Sequence, residues 1–216
     1  LKTGCRYHVC HVSTAKSVEI VRQAKKAGAD ISCEVTPHHL LLTEEDVCDE
    51  GRFRMEPPLR SAKDREALIE GILDGTIEII ATDHAPHSFK EKAGGMVGSL
   101  PGVSGIETAF PVLYTGLVLP GIVTLERLVK MMTEAPCKRF RSEDKKSPYI
   151  KEGIPADLAV LDAKTPHIIS SEKFISKGKS TPFEGMEVRG VNVMTFLDGN
   201  LVFEAEEKKK NETAGL

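Results

Sequence analysis

The sequence contains no tryptophan, only three tyrosines and no marked excess of charge of either sign. Its 216 residues include 29 Lys and Arg against 32 Asp and Glu, which leaves a net charge of −3. A chain this close to neutrality has no strong field to attract nucleic acid or an acidic membrane. The expected partner is therefore a small molecule.

Long apolar runs and paired cysteines are also absent. No stretch approaches the roughly 18 residues of a membrane span, and no charged-then-apolar leader precedes a cleavage site. The five cysteines, at positions 5, 10, 33, 48 and 137, form no Cys-x-x-Cys pair, and an odd number is awkward for a secreted disulfide framework. These features favour a reducing, cytoplasmic setting.

Phosphate-binding glycine patterns are missing as well. Neither Gly-x-Gly-x-x-Gly nor a P-loop occurs, although residues 94–105 are rich in glycine. We expect that segment to be a flexible active-site loop.

Strands alternate with helices in the first part of the chain. Short apolar runs at 7–12, 31–36 and 77–81 predict strands. Helical patterns follow the cap candidates Ser13-Thr14 and Ser61, and Gly75 is expected to end the second helix. This alternation predicts an α/β fold built from βαβ units with a parallel sheet. The strand-to-strand spacing brackets the repeat of an eightfold barrel, which has roughly 250 residues in eight units. Residues 1–148 therefore predict part of a (β/α)8 barrel.

The pattern changes at about Tyr149. Residues 156–161 predict a buried strand, and alternating apolar residues at 191–197 precede Asp198-Gly199, a typical hairpin turn. We expect a small antiparallel β module over 149–205, packed on the barrel. Residues 206–216 are polar and predict a frayed tail.

An acid and two histidines follow the third predicted strand. Asp83, His84 and His87 lie in the run ATDHAPH, at the end of the strand that faces the active site in a parallel barrel. Two interpretations stay open on spacing alone. Either these side chains act in catalysis, or Asp83 caps the next segment and the histidines are ordinary loop residues.

A second histidine pair flanks Cys10 on the first predicted strand. The odd spacing of His8 and His11 places them on opposite faces of a regular strand, so only one points into a barrel. His11 comes last and lies at the strand end, as Asp83 does. Imidazole nitrogen and carboxylate oxygen are a normal zinc pairing, but a zinc site needs three or four protein ligands.

The remaining histidines and cysteines have more ordinary interpretations. His38 and His39 precede an apolar run and are expected to help close the barrel top. Cys10 and Cys33 lie within predicted strands without a thiolate-stabilising neighbour in sequence, so we expect small core residues rather than nucleophiles.

Six collinear segments resemble one family. They are residues 7–14 (YHVCHVST), 33–42 (CEVTPHHLLL), 56–60 (EPPLR), 74–77 (DGTI), 81–87 (ATDHAPH) and 105–110 (GIETAF). As a set they resemble bacterial dihydroorotases of the longer, class I type, cyclic amidohydrolases of the amidohydrolase superfamily. The resemblance implies an eight-stranded, metal-dependent hydrolase barrel holding one or two zinc ions, of which this chain supplies strands six to eight. It also implies a small β-sandwich built from both chain ends, and reversible conversion of L-dihydroorotate and water to N-carbamoyl-L-aspartate in pyrimidine biosynthesis.

The resemblance also assigns roles to residues. His11 is similar to the strand-six zinc ligand, and Asp83 to the strand-eight aspartate that binds metal and shuttles the proton. His87 resembles the histidine that holds the substrate carboxylate. Pro101 and Gly102 lie where backbone groups of the family's active-site loop meet the substrate.

Two departures from the family pattern limit what this chain is expected to do. Glu56 stands where family members have a substrate-binding asparagine, and a carboxylate there would repel an anionic substrate unless it were protonated or paired. The family's strand-one His-x-His-x-Arg, its strand-four carboxylate and its strand-five histidine have no counterpart in the 216 residues. We therefore expect the isolated chain to be inactive.

Other functions stay open. An allantoinase or hydantoinase is a second enzyme reading, against which His87 and the segment 34–39 (EVTPHH) argue. A non-catalytic scaffold for a partner such as a transcarbamoylase is a third, mildly supported by Glu56. A homo-oligomer is equally open.

Overall fold

The computed structural model divides the β-structure between one parallel sheet and two antiparallel sheets. It describes residues 2–140 and 148–205, so the predicted polar tail at 206–216 lies outside the described residues. The strands are β1 (Tyr7–Val9), β2 (Ile31–Val35), β3 (Ile79–Ile80), β4 (Leu158–Asp162), β5 (His167–Ile168), β6 (Glu187–Val188), β7 (Val191–Leu197) and β8 (Asn200–Glu204). The helices are α1 (Ala15–Lys26), α2 (Pro37–Leu41), α3 (Ala62–Asp74), α4 (Phe89–Lys92), α5 (Gly95–Gly98), α6 (Ala109–Leu113), α7 (Leu125–Met132) and α8 (Glu134–Phe140).

The three predicted strands of the first part form the parallel sheet, in the order β1-β2-β3. Each strand is shorter than its apolar run. Single backbone hydrogen bonds continue the ladder beyond the strand ends, from Val12 N to Glu34 O at 2.9 Å and from Ala81 N to Val35 O at 3.1 Å. The parallel sheet predicted from the alternating pattern is therefore confirmed for these strands.

Local signals set the ends of the two crossover helices. The Thr14 hydroxyl accepts from Ser17 N before α1, and the Ser61 hydroxyl accepts from Asp64 N before α3. Such side-chain caps satisfy backbone N–H groups that have no partner within the helix. Gly75 ends α3 in the left-handed conformation, with φ 83°.

The core lies between the parallel sheet and these two helices. Cys33 and Val35 project from one face of β2 and are completely buried. The helix residues in the same cluster are Val18 and Val21 of α1 with Leu68 and Ile72 of α3. The opposite face of β2 carries Ser32 and Glu34, because alternate residues of a strand point to opposite sides. The candidate functional site described below lies on this polar face.

The segment predicted to be an active-site loop contains short helical turns. Helix α5 lies within the glycine-rich residues 94–105, and α4 immediately precedes that stretch. The rest of the glycine-rich stretch connects these turns to α6 without regular secondary structure.

The C-terminal part is antiparallel, as predicted. Strand β7 pairs with β4 and β8, while β5 pairs with β6 in a separate two-stranded sheet. Asp198 and Gly199 form the predicted turn with φ 49° and 80°, the positive angles of a type I′ hairpin. Ile169, Phe183 and Val188 pack into the core cluster of the parallel sheet.

Among the described residues, none of the helices combines the length and the apolar character needed to cross a bilayer.

Candidate functional site

His11 and Asp83 lie just beyond the ends of β1 and β3, and both adopt a left-handed backbone. Their φ angles are 42° and 47°. Non-glycine residues seldom occupy this region, and such strain is concentrated at functional positions of proteins. The structure thus gives the two predicted metal residues the same unusual conformation at equivalent strand ends.

His8 and His11 approach the same carboxylate, so the prediction that they lie on opposite faces is wrong. Nε2 of His8 lies 3.0 Å from Oε2 of Glu34, and Nδ1 of His11 lies 3.3 Å from Oε1. The alternation ends because β1 stops at Val9 and the left-handed turn at His11 brings its ring back towards β2. Sequence reasoning missed Glu34, although a carboxylate in an otherwise apolar strand was a signal.

Asp83 shares an electrostatic neighbourhood with these groups. Partial burial raises the pKa of the Asp83 carboxyl above its usual value, and the negative charge of Glu34 acts in the same direction. His11 opposes both effects. The sheet therefore brings His11, Glu34 and Asp83 close enough to influence one another.

The three predicted substrate-binding residues lie together on the loop that follows Asp83. The His87 ring donates from Nε2 to the Pro101 carbonyl at 3.0 Å. Gly102 donates its N–H to the Arg54 carbonyl at 2.9 Å and has φ 139°. A Cβ atom at Gly102 would lie 2.5 Å from the Ala85 carbonyl oxygen, so only glycine fits there without movement.

Lys92 fixes this loop, and sequence reasoning did not find it. Its side chain is buried, and Nζ donates to the carbonyls of Arg54 (3.1 Å), Leu100 (2.8 Å) and Gly102 (2.8 Å). Burial lowers the pKa of Lys92 to about 8, with a smaller contribution from Arg54. No sequence pattern marks this lysine, because its partners lie 38, 8 and 10 residues away, beyond the reach of a helical or strand period.

His84 contacts the backbone of the loop that precedes α6. Its Nδ1 accepts hydrogen bonds from the backbone N–H groups of Gly105 and Ile106, at 3.2 and 3.3 Å. The ring therefore serves the loop backbone, in agreement with the ordinary loop interpretation for this one histidine.

His38 and His39 are both buried in α2. Nδ1 of His39 accepts a hydrogen bond from the Thr36 hydroxyl at 2.7 Å, and Nε2 donates to the Pro57 carbonyl at 3.0 Å. Burial lowers the pKa of His39 to about 4 and that of His38 well below its usual value. Both rings therefore stay neutral at pH 7, and these contacts support the predicted structural role.

Glu56 forms an ion pair instead of standing alone. Its Oε1 lies 3.0 Å from Nη2 of Arg54. The positive guanidinium offsets the carboxylate charge that was expected to repel an anionic substrate.

The strand-end residues fit a metal cation as a partial ligand set. The buried Nδ1 of His11 makes no hydrogen bond, because its contact with Glu34 lacks hydrogen-bond geometry. An imidazole nitrogen without a hydrogen-bond partner and a neighbouring aspartate are donors that zinc accepts. Two donors are fewer than the three or four that a zinc site requires.

Comparison with known proteins agrees with these features. A dihydroorotase from Bacillus cytotoxicus is 51% identical over 203 residues, which are 94% of this chain and 47% of the relative. A dihydroorotase from Bacillus caldolyticus is 52% identical over 202 residues, which are 93% of this chain and 47% of the relative. The chain thus spans about half the length of the curated relatives it matches.

Solved structures and a family model point the same way. An L-hydantoinase (dihydropyrimidinase) from Arthrobacter aurescens superimposes with a TM-score of 0.86 and 34% identity, over 95% of this chain and 46% of that one. The model of the amidohydrolase family matches residues 2–202. Since that match covers nearly the whole sequence, this chain belongs to the amidohydrolase family.

Proposed function

We propose that the chain supplies the C-terminal part of a zinc-dependent dihydroorotase, which interconverts L-dihydroorotate plus water with N-carbamoyl-L-aspartate in pyrimidine biosynthesis. Identities of 51% and 52% to the two dihydroorotases support this substrate class. The observation that carries the proposal is the arrangement of His11 and Asp83 at two strand ends, followed in the chain by the loop of His87, Pro101 and Gly102.

We further propose that β1, β2 and β3 are strands six, seven and eight of the barrel. Residues 1–148 would form the barrel part, and residues 149–205 a portion of a β-sandwich. The parallel order of the first three strands and the antiparallel pairing of the later ones support this division. The odd number of cysteines and the lack of a Cys-x-x-Cys pair support a reducing cytoplasm as the site of the reaction.

His11 and Asp83 would hold one zinc ion as part of a larger ligand set. When bound, zinc supplies Lewis acidity, which polarises a carbonyl group and acidifies water. The remaining ligands would come from residues that this chain does not contain. We therefore propose that the 216 residues alone bind zinc weakly at His11 and Asp83 and do not turn over substrate.

Asp83 would move the proton in the hydrolytic direction. Its carboxylate accepts a proton from the attacking water as the carbon–oxygen bond forms at the ring amide carbonyl. The same proton then passes to the ring nitrogen as the carbon–nitrogen bond breaks. A single carboxylate acting as base and then as acid balances the reaction.

The loop would hold the substrate. When the His87 ring carries a proton on both nitrogens, Nδ1 donates to the substrate carboxylate while Nε2 stays on the Pro101 carbonyl. Glu91 lies 3.8 Å from Nδ1 and competes for it. The Gly102 N–H is already used, so contacts from this loop pass through the second lone pairs of the Pro101 and Gly102 carbonyls. Those oxygens match the ring N–H donors of dihydroorotate.

The proposal is tested by supplying the other half. The chain is mixed with the N-terminal half of the Bacillus caldolyticus dihydroorotase in the presence of zinc, and dihydroorotate hydrolysis is measured against each half alone. We expect activity only in the mixture. Asp83→Ala should abolish it, whereas His87→Ala should mainly raise the Michaelis constant. Asp162→Ala and His167→Ala, far from the strand ends in sequence, are the matched controls and should leave both parameters unchanged.

Three results would each contradict a part of the proposal. Dihydroorotate hydrolysis by the chain alone would contradict its proposed inactivity in isolation. Normal turnover in Asp83→Ala with metal bound, or an equal effect of the control substitutions, would contradict the roles of Asp83 and His87.

A hydantoinase-type specificity is the second candidate, because the L-hydantoinase from Arthrobacter aurescens is 34% identical. Hydrolysis of a hydantoin in preference to dihydroorotate by the reconstituted mixture would favour it. A folded, zinc-loaded mixture inactive on both substrates would instead favour a scaffold for a transcarbamoylase.

A further inference from the structure

A second group of metal-ligand side chains lies on the polar face of the parallel sheet. His8 of β1 is in register with Ser32 of β2, and Cys10 and Glu34 follow two residues along each chain. One ligand atom each from His8, Cys10 and Glu34 lies within 4.8 Å of the other two. In residues 2–140 and 148–205, no other trio of His, Cys, Asp or Glu is arranged in this way.

The His8 ring is held in position for a ligand role. Its Nδ1 lies 2.7 Å from the Ser32 hydroxyl, and the edge of Phe140 packs against it with ring centroids 5.1 Å apart. The other nitrogen, Nε2, then points at the Glu34 carboxylate. Metal-binding histidines usually have such a second partner on the distal nitrogen, which fixes the ring and its tautomer.

The local charge favours a cation over a bare thiolate. The carboxylates of Glu34 and Asp83 place negative charge beside the Cys10 sulfur. The same two negative charges attract a divalent cation, whose own charge then stabilises the deprotonated sulfur. The expectation of a core residue holds for the buried Cys33 but is wrong for Cys10, which is exposed because β1 ends at Val9, so a cation reaches its sulfur from solvent.

We propose that His8 Nε2, Cys10 Sγ and the Glu34 carboxylate form a site for a thiophilic divalent cation such as zinc or cadmium. Nitrogen, sulfur and oxygen donors in one site suit zinc and its heavier congener better than magnesium or calcium. On binding, the Cys10 sulfur–hydrogen bond breaks, its proton passes to solvent and the metal–sulfur bond forms. The His8 ring gives up the Nε2 proton that it shares with Glu34 and carries its proton on Nδ1 instead, where it donates to the Ser32 hydroxyl, so that Nε2 has a lone pair for the metal. None of these ligands has a role in the proposed dihydroorotase reaction, so the site goes beyond that function.

Occupancy has a consequence for His11. Glu34 contacts His8 through one oxygen and His11 through the other. A cation bound by His8 and Glu34 therefore reduces the negative charge that the Glu34 carboxylate presents to His11.

The first test needs no substitution of a cysteine. The 216-residue chain is treated with iodoacetamide with and without zinc, and alkylation is followed by peptide mass spectrometry. Zinc at ten times the dissociation constant should slow the modification of Cys10 about tenfold. The exposed Cys5 and Cys48 are internal controls and should react at unchanged rates. Equal protection of Cys48, or no protection of Cys10, would overturn the site.

Two histidine variants separate this site from the strand-end residues of the proposed enzyme. His8→Ala should abolish the protection of Cys10 by zinc, whereas His11→Ala should retain it. The reverse result would assign the protection to zinc at His11 and Asp83 and would overturn the proposal. Circular dichroism of each variant establishes that the comparison is made between folded chains.

Cadmium provides a direct spectroscopic signature. Titration of the reduced chain with cadmium should produce an ultraviolet cadmium–thiolate band that saturates at one metal per chain. The band should persist in Cys48→Ser and disappear in Cys10→Ser. Its persistence in Cys10→Ser would show that another cysteine is the ligand and would overturn the site.

Discussion

The parallel sheet and the sheet of β4, β7 and β8 bury similar side chains to very different extents. Val35 in β2 is 0% exposed, whereas Val202 in β8 is 57% exposed. One face of β2 packs on α1 and α3. The other face carries Glu34, which His8 and His11 contact from the neighbouring strand β1 and the turn after it. In the described chain, the packing that holds the fold together is therefore concentrated around the strands that carry the site.

The largest difference between the two regions should come from one substitution made in both. Leu68 of α3 is 1% exposed and Leu201 of β8 is 47% exposed. Leu68→Ala should lower the free energy of unfolding by about 2–5 kcal/mol, because it removes buried methyl groups and leaves a cavity. Leu201→Ala should cost less than about 1 kcal/mol. Urea unfolding of both variants measures the two values, and equal losses would contradict the contrast.

Glycine substitutions should separate the site loop from the hairpin. Gly199→Ala meets no neighbouring atom and is opposed mainly by its positive φ, so it should cost about 1 kcal/mol. Gly102→Ala adds an overlap with the Ala85 carbonyl and should cost up to about 3 kcal/mol.

The activity of the reconstituted mixture gives a second measurement for this pair. Gly102→Ala should lower it, because the loop must shift to admit the methyl group, while Gly199→Ala should not. If the two variants matched in both stability and activity, the close approach at Gly102 would have no consequence.

At basic pH, the change in the free energy of unfolding should come from Lys92, in the region of the site. The pKa of Lys92 is about 8 in the folded chain, below the usual 10.5, so the unfolded chain holds this proton more tightly between those values. Stability should therefore rise as the pH increases from about 8 to 10.5, as the folded lysine loses its buried charge. Lys92→Met should remove this contribution, which urea unfolding of both proteins across that range would reveal. An unchanged profile would mean that the three carbonyls hold the proton on Lys92.

At acid pH, Asp162 in the C-terminal region should make a smaller contribution to the free energy of unfolding. Hydrogen bonds from the Thr165 side chain, then from the backbone N–H groups of Thr165 and Lys164, lower the pKa of Asp162 from 3.8 to about 2. The stabilisation is complete above the unfolded pKa and is lost as the pH falls from about 4 towards 2. Asp162→Asn should flatten that part of the profile slightly. A steeper acid loss in the variant would contradict the assignment.

Local signals predicted much of the architecture. Thr14, Ser61 and Gly75 marked helix ends because capping depends on residues a few positions apart, and Asp198-Gly199 marked the hairpin because its angles are intrinsic to those residues. The strand bounds were less accurate. Beyond the C-terminal ends of β1 and β3, only single hydrogen bonds to β2 continue the ladder, and the sequence of one strand does not show where its neighbour stops pairing.

The site was predicted only in part, for a physical reason. His11 and Asp83 were predicted because a histidine and an aspartate follow apolar runs that read as strands. The contact of Glu34 with two histidines depends on the left-handed angle at His11, which breaks the two-residue period on which face predictions rest. Lys92 contacts carbonyls 38 and 10 residues away, beyond the reach of a helical or strand period, so no local pattern encodes these contacts.

The left-handed angles at His11 and Asp83 have an evolutionary consequence. Glycine relaxes such a backbone, so a drift to glycine at either position would be rewarded by selection for stability alone. Under the proposed function, His11→Gly and Asp83→Gly should therefore stabilise the fold while each removes a proposed metal ligand.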